Sequence, residues 1–429
     1  MRILLLVGRA LSCCVCLALG GAARAADSVP SLELAELLAV ARADNPAIRS
    51  AQARAGAMQQ RPIQEGTLPD PMLGVRFHNE TFDEITWGDS EFSFLELALE
   101  QEIPFPGKLG LREQIASREA EREGAMRDAT ELMVLSEVAS RYHELALVDR
   151  TTEILRESDG ALDRIVRQAA ARYSVGTVAQ QDVLRASLER GALRERITML
   201  EQKRAAAGAA LSALLGRASD DPLAGRFEFL ETAPLEPLSE LVKRLRERAP
   251  ELRAAQEDVL RSDAALSLAR RDYFPDFALM GAYMNKQGLA AEWELGIRVS
   301  VPLYFWRRQR AAVIEQRLEK RAAERAREGE RLDLEARLRE LHAMAETSGR
   351  LVDLYDGSLI PQAALTLESA RASYEVGSVD LLSTLNAFTA LLEYRIRDAE
   401  EKTSQKRARA EIAPLVGETP LGERIGGAP

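Results

Sequence analysis

The stretch Tyr173-Ser174-Val175-Gly176-Thr177-Val178 returns about 200 residues later as Tyr374-Glu375-Val376-Gly377-Ser378-Val379. Three further pairs of segments repeat in the same order with nearly constant spacing: 46–52 with 250–256, 68–73 with 274–279, and 97–104 with 295–302. One match could arise by chance, but four in register indicate an internal duplication. The sequence therefore predicts one structural unit that is present twice.

Each copy is predicted to contain a helix, a β-hairpin, a very long helix and a return helix. The first helices cover about 31–66 and 237–272, because a proline then prevents helical continuation. The hairpins lie at about 72–103 and 277–301, and prolines follow both. The long helices end at the two Val-Gly turns, where glycine can adopt the left-handed conformation of a helix end. The return helices end near Leu215 and Leu415.

The segments outside the repeats complete the predicted organisation. Residues 1–25 combine an early arginine, an apolar stretch and a final Ala-Arg-Ala, which is typical of a cleaved secretory signal peptide. The repeats cover 26–217 and 237–416, with a linker over 218–236 and a C-terminal tail over 417–429. All three cysteines lie within the predicted signal, so no disulfide or thiolate metal site is expected after cleavage. The residues before Cys13 are a poor match to a lipidation site.

Composition indicates long helices more than a thick globular core. Charged residues make up 29% of the chain and aromatic residues only 5%, with long tracts of Ala, Leu, Glu and Arg. In the second long helix, core positions follow a 3,4 spacing that predicts a coiled coil about 100 Å long with a kink at Pro361. These positions are Leu334, Leu338, Leu341, Ala345, Ser348, Val352, Tyr355 and Leu359.

The strand segments alternate with period two, which places alternate side chains on opposite faces. A single soluble strand would show the same pattern, but segments of about 9 to 12 residues match the span of tilted transmembrane strands. The side chains expected to face lipid are Leu95, Leu97, Leu99, Trp293, Leu295, Ile297, Val299 and Val301. Those expected to face a lumen are Glu96, Glu100, Glu294 and Arg298.

Four strands cannot close a barrel by themselves. The smallest membrane barrels have about eight strands, and unpaired strand edges are costly in lipid. The chain is therefore predicted to oligomerise, and the residues alone allow either a dimer or a trimer. The connecting loops 79–90 and 285–292 are expected at the cell surface.

Aromatic and basic residues flank the strands. Phe105 and the run 304–306 lie at strand ends where an aromatic girdle would be found. Arg307, Arg308 and Arg310 follow at once. They fit contact with lipid headgroups about as well as the solvated start of a helix.

Several classes of function are disfavoured. Without the three arginines of the predicted signal, 54 basic residues face 67 acidic ones, and a net charge of −13 argues against nucleic-acid binding. Only His78, His143 and His342 are present, too far apart for a local metal site, and His143 is interpreted as a satisfied surface or groove residue. We find no phosphate-binding loop or nucleophile elbow. The chain is predicted to be non-enzymatic and to need no cofactor.

The duplication, the paired Tyr-x-Val-Gly-Thr/Ser turns and the strand pairs resemble the TolC family of outer-membrane factors. The resemblance implies a mostly α-helical protein with membrane β-strands, in which a homotrimer forms a 12-stranded barrel in outer-membrane lipid. The barrel would continue into a periplasmic tunnel of 12 helices, which a periplasmic adaptor (membrane fusion protein) connects to an inner-membrane pump of the resistance-nodulation-division type. The chain would then act as a passive exit duct for efflux.

Two motifs resemble the branch of the family that works with heavy-metal efflux pumps. They are Leu-Pro-Asp-Pro over 68–71 and Ile-Pro-Phe-Pro-Gly-Lys-Leu over 103–109. Drugs, organic toxins or exported proteins are the alternative substrates of such a channel. An alternative from another class is a periplasmic coiled-coil adaptor or scaffold without a pore, which would show a single hairpin flanked by small β domains.

The resemblance also implies sites at the periplasmic end. Adaptor contact is expected at Tyr173, Val175, Gly176, Thr177, Tyr374, Val376, Gly377 and Ser378. The gate region comprises Asp182, Tyr374, Val379, Ser383 and Asn386. The tyrosine and the aspartate match a gate latch of the family, but valine replaces its arginine, and serine and asparagine replace two constriction aspartates. This implies a modified latch, in which Arg185 or Arg371 could substitute, and a constriction that attracts cations less strongly.

Overall fold

The structure, a computed structural model, describes residues 32–218, 225–229 and 234–424. The predicted signal peptide lies outside these residues, as do parts of the predicted linker and tail. Within the described residues the chain forms ten α-helices, one π-helical turn and four β-strands. None of the described helices is both long enough and apolar enough to cross a membrane.

The two halves share one order of short helices, a β-hairpin, a long helix and a return helix, although the number of short helices differs and the second long helix is interrupted. The first half has α1 Leu34–Asp44, α2 Pro46–Met58, α3 Arg61–Gly66, β1 Met72–His78, β2 Phe94–Ile103, α4 Lys108–Ser174 and α5 Gln180–Leu214. The second half has α6 Leu238–Arg248, α7 Pro250–Arg271, β3 Asp276–Asn285, β4 Glu292–Ser300, α8 Arg308–Leu354, a π-helical turn Tyr355–Leu359, α9 Ile360–Glu375 and α10 Leu381–Leu415.

The first helix of each half is not continuous, contrary to the sequence prediction. In the first half, Asn45 is extended, with ψ 125°, and its Oδ1 accepts hydrogen bonds from the N–H groups of Ala47 at 2.8 Å and Ile48 at 3.2 Å. Pro46 has no N–H to donate to the preceding turn and so begins a new helix behind this N-cap. Ala249, with ψ 122°, separates α6 from α7 before Pro250, but it makes no side-chain capping hydrogen bond.

The second long helix is interrupted just before Pro361. Residues Tyr355–Leu359 form a π-helical turn, and Pro361 is the second residue of α9. Proline cannot donate to the carbonyl one turn earlier, so the wider turn accommodates the missing bond. The first five positions of the predicted coiled-coil seam, Leu334 to Ser348, are buried, whereas the three at the interruption are half-buried.

The strands form one antiparallel sheet in the order β1-β2-β3-β4. Pairing of β2 with β3 joins the two repeats, from Leu95 opposite Asn285 to Ile103 opposite Phe277. Strands β1 and β4 are the outer strands, each paired on one side only within the described residues. Two edges of the sheet are therefore open.

The helical body is built around α4. This helix has 67 residues and is about 100 Å long at 1.5 Å per residue. It packs against α5, α7 and α10, while α8 packs against α7 and α10. Leucine and alanine side chains fill the contacts between these helices. The result is a long antiparallel bundle with the sheet at one end and two helical hairpin turns at the other.

Candidate functional site: the hairpin tips and the open sheet

The turn between α4 and α5 and the turn before α10 have the same hydrogen bonding. Gly176 and Gly377 both have positive φ, at 74° and 78°, in the left-handed region that glycine tolerates best. Thr177 donates to the Arg172 carbonyl from its N–H at 3.0 Å and its hydroxyl at 2.9 Å. Ser378 makes the equivalent two bonds to the Ser373 carbonyl, both at 2.9 Å. The duplicated motif therefore builds two matching caps.

Arg172 connects the two tips. Its guanidinium carbon lies 4.8 Å from the ring centroid of Tyr374, and its NH1 donates to the Tyr374 carbonyl at 2.6 Å. The ring is 3% exposed and packs in the apolar cluster between the hairpins. A cation over an aromatic ring and at the carbonyl end of a helix is stabilised by both contacts. No sequence pattern singles out Arg172, whose only signal is a basic residue in the last turn of a helix.

Within one chain, the structure does not join Tyr374 to Asp182, the two residues that match the gate latch of the family. The Tyr374 hydroxyl is buried and has no hydrogen-bond partner among the described residues. Asp182 lies in the first turn of α5, half-buried, and its carboxylate makes no hydrogen bond or ion pair to any described side chain. The ring of Tyr374 instead packs under Arg172. Within one chain, the tip is held by a cation over a ring rather than by a tyrosine–aspartate bond.

The other positions predicted for a gate lie at the start of α10 and beside it. Asp380 is the N-cap, accepting from the Ser383 N–H at 2.9 Å and the Ser383 hydroxyl at 2.6 Å. These bonds, aided by the charge of Arg185, lower the pKa of Asp380. Asn386 is exposed, and Val379 is partly exposed. Ser383 therefore serves helix capping, a role that the sequence comparison with the family did not suggest.

The sheet separates polar from apolar side chains by its register. Arg76 lies opposite Glu96, with NH1 3.3 Å from Oε2, and Arg298 NH1 lies 2.5 Å from Glu100 Oε1. Three of the four side chains predicted to face a lumen thus take part in cross-strand ion pairs on one face. Glu294, which lies opposite Ala282, is four residues from Arg298 in β4 and is therefore on the same face.

The other face of the sheet is apolar and exposed. Ile297 is 71% exposed, and Leu97, Leu99, Trp293, Leu295 and Val299 are exposed with it. Leu95 shares this face but is half-buried, and Val301 lies one residue beyond the end of β4. An apolar surface of this extent indicates contact with lipid or with another protein surface.

His143 is buried, which corrects its interpretation as a surface or groove residue. It is 6% exposed, and its Nδ1 has no hydrogen-bond partner among the described residues. Burial, with further contributions from Lys406 and Arg407, lowers its pKa to about 4, so the ring is neutral at pH 7. No cluster of three or more His, Cys, Asp or Glu side chains suited to a metal ion occurs in the described part of the chain.

A long helical bundle that carries an open sheet with a charged face and an apolar face defines a membrane channel subunit. The chain belongs to the outer membrane efflux protein family, whose model matches residues 37–217 and 241–418. It is therefore an outer-membrane protein of efflux systems, with its helical body in the periplasm, and not an enzyme. The two matched ranges correspond to the two repeats.

Solved structures share this fold over most of the chain. The outer-membrane channel OprN is 19% identical with a TM-score of 0.78, and the match covers 90% of both chains. CusC, which changes conformation on folding and transmembrane channel formation, is 15% identical with a TM-score of 0.78, and the match covers 91% of this chain and 94% of that one. VceC of Vibrio cholerae is 17% identical with a TM-score of 0.77, covering 90% and 96%. No curated protein sequence matches the chain significantly.

Proposed function

We propose that three copies of this chain form the exit duct of a tripartite efflux system for heavy-metal cations. Each copy supplies four strands to a 12-stranded barrel and its helices to a 12-helix tunnel. The observation that carries the proposal is the sheet with two open edges on a chain whose repeats both match the efflux family. Because barrels in lipid need about eight strands or more, one chain is insufficient.

The apolar face of the sheet is assigned to lipid and the charged face to the lumen. On the lumen side, Arg76–Glu96 and Arg298–Glu100 form ion pairs, whereas Glu294 on the same face has no ion-pair partner among the described residues. The unpaired carboxylate gives the lining a negative charge that favours hydrated cations. The duct is passive, and the energy comes from an inner-membrane pump of the resistance-nodulation-division type.

The hairpin tips are assigned to the periplasmic adaptor. The two caps present Val175 and Val376 to solvent, both largely exposed, on turns of identical hydrogen bonding. Two equivalent apolar tips per chain would give three copies six nearly equivalent docking positions. This supports an adaptor that uses one mode of contact at both repeats.

The metal substrate is supported by the two proline motifs that resemble the heavy-metal branch. The experiment is complementation: a strain lacking this chain is challenged with divalent metals and, separately, with organic toxicants. We expect sensitivity to metals that a plasmid copy corrects. Sensitivity to organic compounds alone would indicate that the channel exports drugs or organic toxins instead of metals.

The channel itself is tested by fractionation. We expect heat-modifiable trimers in the outer-membrane fraction. A soluble periplasmic monomer would contradict the channel and favour the adaptor alternative.

A further inference from the structure

The contact between the two repeats inside one chain shows how one copy meets the next. Strand β4 corresponds to β2 with residue numbers 198 apart, and β3 corresponds to β1 with numbers 206 apart. The structure agrees with both offsets, since Leu73 lies opposite Leu99 in the first hairpin and Leu279 lies opposite Ile297 in the second. Strand β2 pairs with β3 inside the chain, whereas the equivalent strands β4 and β1 do not pair with each other.

A buried cation holds the internal contact at the junction of sheet and helices. Lys108, the first residue of α4, has a side chain that is 4% exposed, with Nζ 3.0 Å from Asp276 and 3.2 Å from Asp272. Asp276 also accepts the Phe105 N–H at 2.7 Å, and the rings of Phe105 and Phe274 stack at 4.6 Å. The carboxylate therefore lies at the start of α4, where the helix dipole favours a negative charge.

The counterparts of this ion pair both lack partners in the chain. Asp70 corresponds to Asp276 within the repeated Pro-Asp segment, and Arg308 begins α8 as Lys108 begins α4. Both side chains are exposed, and neither forms an ion pair or side-chain hydrogen bond with any other described residue. They lie beside β1 and β4, which are the two open edges of the sheet.

We propose that Arg308 of one copy pairs with Asp70 of the next, and that β4 pairs with β1 of that copy in a register that places Ile297 opposite Val75. The register follows from the internal pair Leu99 and Gly281, the equivalents of Ile297 and Val75 in the β2–β3 contact. This rests on the proposed oligomeric channel and names the residues through which its copies recognise each other.

The proposed register keeps the two faces of the sheet continuous across the copies. It sets Leu295 opposite Phe77 and Val299 opposite Leu73, so apolar side chains meet apolar ones. A shift by one residue would place this row against Gly74 and Arg76 on the charged face, which a half-apolar sheet strongly disfavours. The carboxylate of Asp70 would also lie at the N-terminus of α8, repeating the position of Asp276 at α4.

Engineered cysteines test the register, because residues 17–429 contain none. Chains carrying Ile297→Cys and Val75→Cys on separate, differently tagged copies are co-expressed and oxidised. We expect a disulfide-linked pair bearing both tags, since directly opposed Cβ atoms lie about 4.5 to 5.5 Å apart. Ile297→Cys with Gly74→Cys is the matched control and should not cross-link. Leu97→Cys and Tyr283→Cys in the same chain are directly opposed, so they should form a disulfide within that chain and the band should keep the apparent mass of a monomer.

Charge reversal tests the ion pair. Asp70→Arg and Arg308→Asp should each lower the temperature at which oligomers dissociate in detergent, and the double variant should restore most of the loss. Arg310→Asp, two residues along the same helix, should leave the temperature unchanged. A double variant whose oligomers dissociate at the same lowered temperature as those of the single variants would overturn the Arg308–Asp70 pair.

The two proposals fail in different ways. Oligomers that form normally but cross-link only at a shifted pair, or not at all, would overturn the register and leave the channel intact. A wild-type chain that remains monomeric in detergent and in membranes would overturn the channel, and this inference with it.

Discussion

Arg246 donates from Nε to Glu335 Oε1 across 2.8 Å, and Arg42 makes the same bond to Glu131 at 2.7 Å one repeat earlier. The differences 246 − 42 and 335 − 131 are both 204, the spacing that also relates Pro46 to Pro250. Each pair ties the first short helix of a repeat to its long helix. The duplication has therefore preserved a contact between helices as well as the order of elements.

The pair at Glu335 predicts a loss of stability in acid. Hydrogen bonds from Arg246 and then Arg331 lower the pKa of Glu335 from 4.5 to about 2, and its side chain is only 4% exposed. Because the folded pKa lies below the unfolded one, the stabilisation is complete above about pH 4.5 and is lost as the pH falls towards 2. We expect Glu335→Gln to make the melting temperature, measured by circular dichroism, depend less on pH over this range. Glu340→Gln, at an exposed glutamate of the same helix that forms no ion pair with any described residue, is the control. A Glu335→Gln curve parallel to the wild type would contradict the assignment.

His143 predicts a second loss at higher pH. Its folded pKa of about 4, lowered chiefly by burial, lies below the value of 6.5 for an exposed histidine. The unfolded chain therefore takes up the proton first, and stability falls as the pH drops from 6.5 to about 4. His143→Leu should remove this part of the pH dependence of the melting temperature. An unchanged profile between these limits would show that the pKa of the ring is the same in the folded and unfolded protein, which contradicts this assignment.

Local signals allowed much of the fold to be predicted, and long-range pairing explains most of what was missed. The Val-Gly turns and the alternation of strand residues depend on neighbours in sequence, and these elements lie where the pattern places them. The breaks at Asn45 and Ala249 are not predicted from the sequence, because Pro46 and Pro250 are interpreted there only as part of the repeated segment and not as the first residues of new helices. Arg172 on Tyr374 joins residues that are far apart in sequence, and neither residue carries a local pattern that names the other.

The tip contact predicts that the ring of Tyr374 matters and its hydroxyl does not. Tyr374→Phe removes a hydroxyl without a hydrogen-bond partner among the described residues, so conductance of the reconstituted channel should be unchanged. Arg172→Gln removes a cation–π contact worth about 0.5 to 2 kcal/mol and should raise the open fraction in planar bilayers. Arg172→Lys, which keeps the charge, should lie between them. A channel opened by Tyr374→Phe would instead indicate that a hydroxyl bond holds the tip.

The two turn glycines predict a local defect at the adaptor surface. At φ of 74° and 78°, Gly176 and Gly377 occupy a conformation that costs other residues about 1 to 2 kcal/mol, and a β-branched side chain more. Gly176→Val and Gly377→Val should therefore weaken adaptor binding, measured with purified proteins, while oligomers persist. Gly191→Ala, inside α5 with open space around it, is a control expected to raise helix stability by about 0.5 to 1 kcal/mol. Loss of oligomers in the valine variants would refute the placing of these turns at the tip.

The apolar face of the sheet makes the sharpest test of the barrel. Ile297 and Arg298 are neighbours in β4, yet their side chains point to opposite faces. If the face of Ile297 contacts lipid, Ile297→Lys should cost about 2 to 4 kcal/mol near the bilayer midplane and reduce heat-modifiable oligomers in the outer membrane. Arg298→Lys introduces the same side chain one residue away on the lumen face, retains a positive charge near Glu100, and should assemble normally. Equal assembly of the two variants would mean that Ile297 does not face lipid, whereas a defect confined to Ile297→Lys would place the membrane on that face of the sheet.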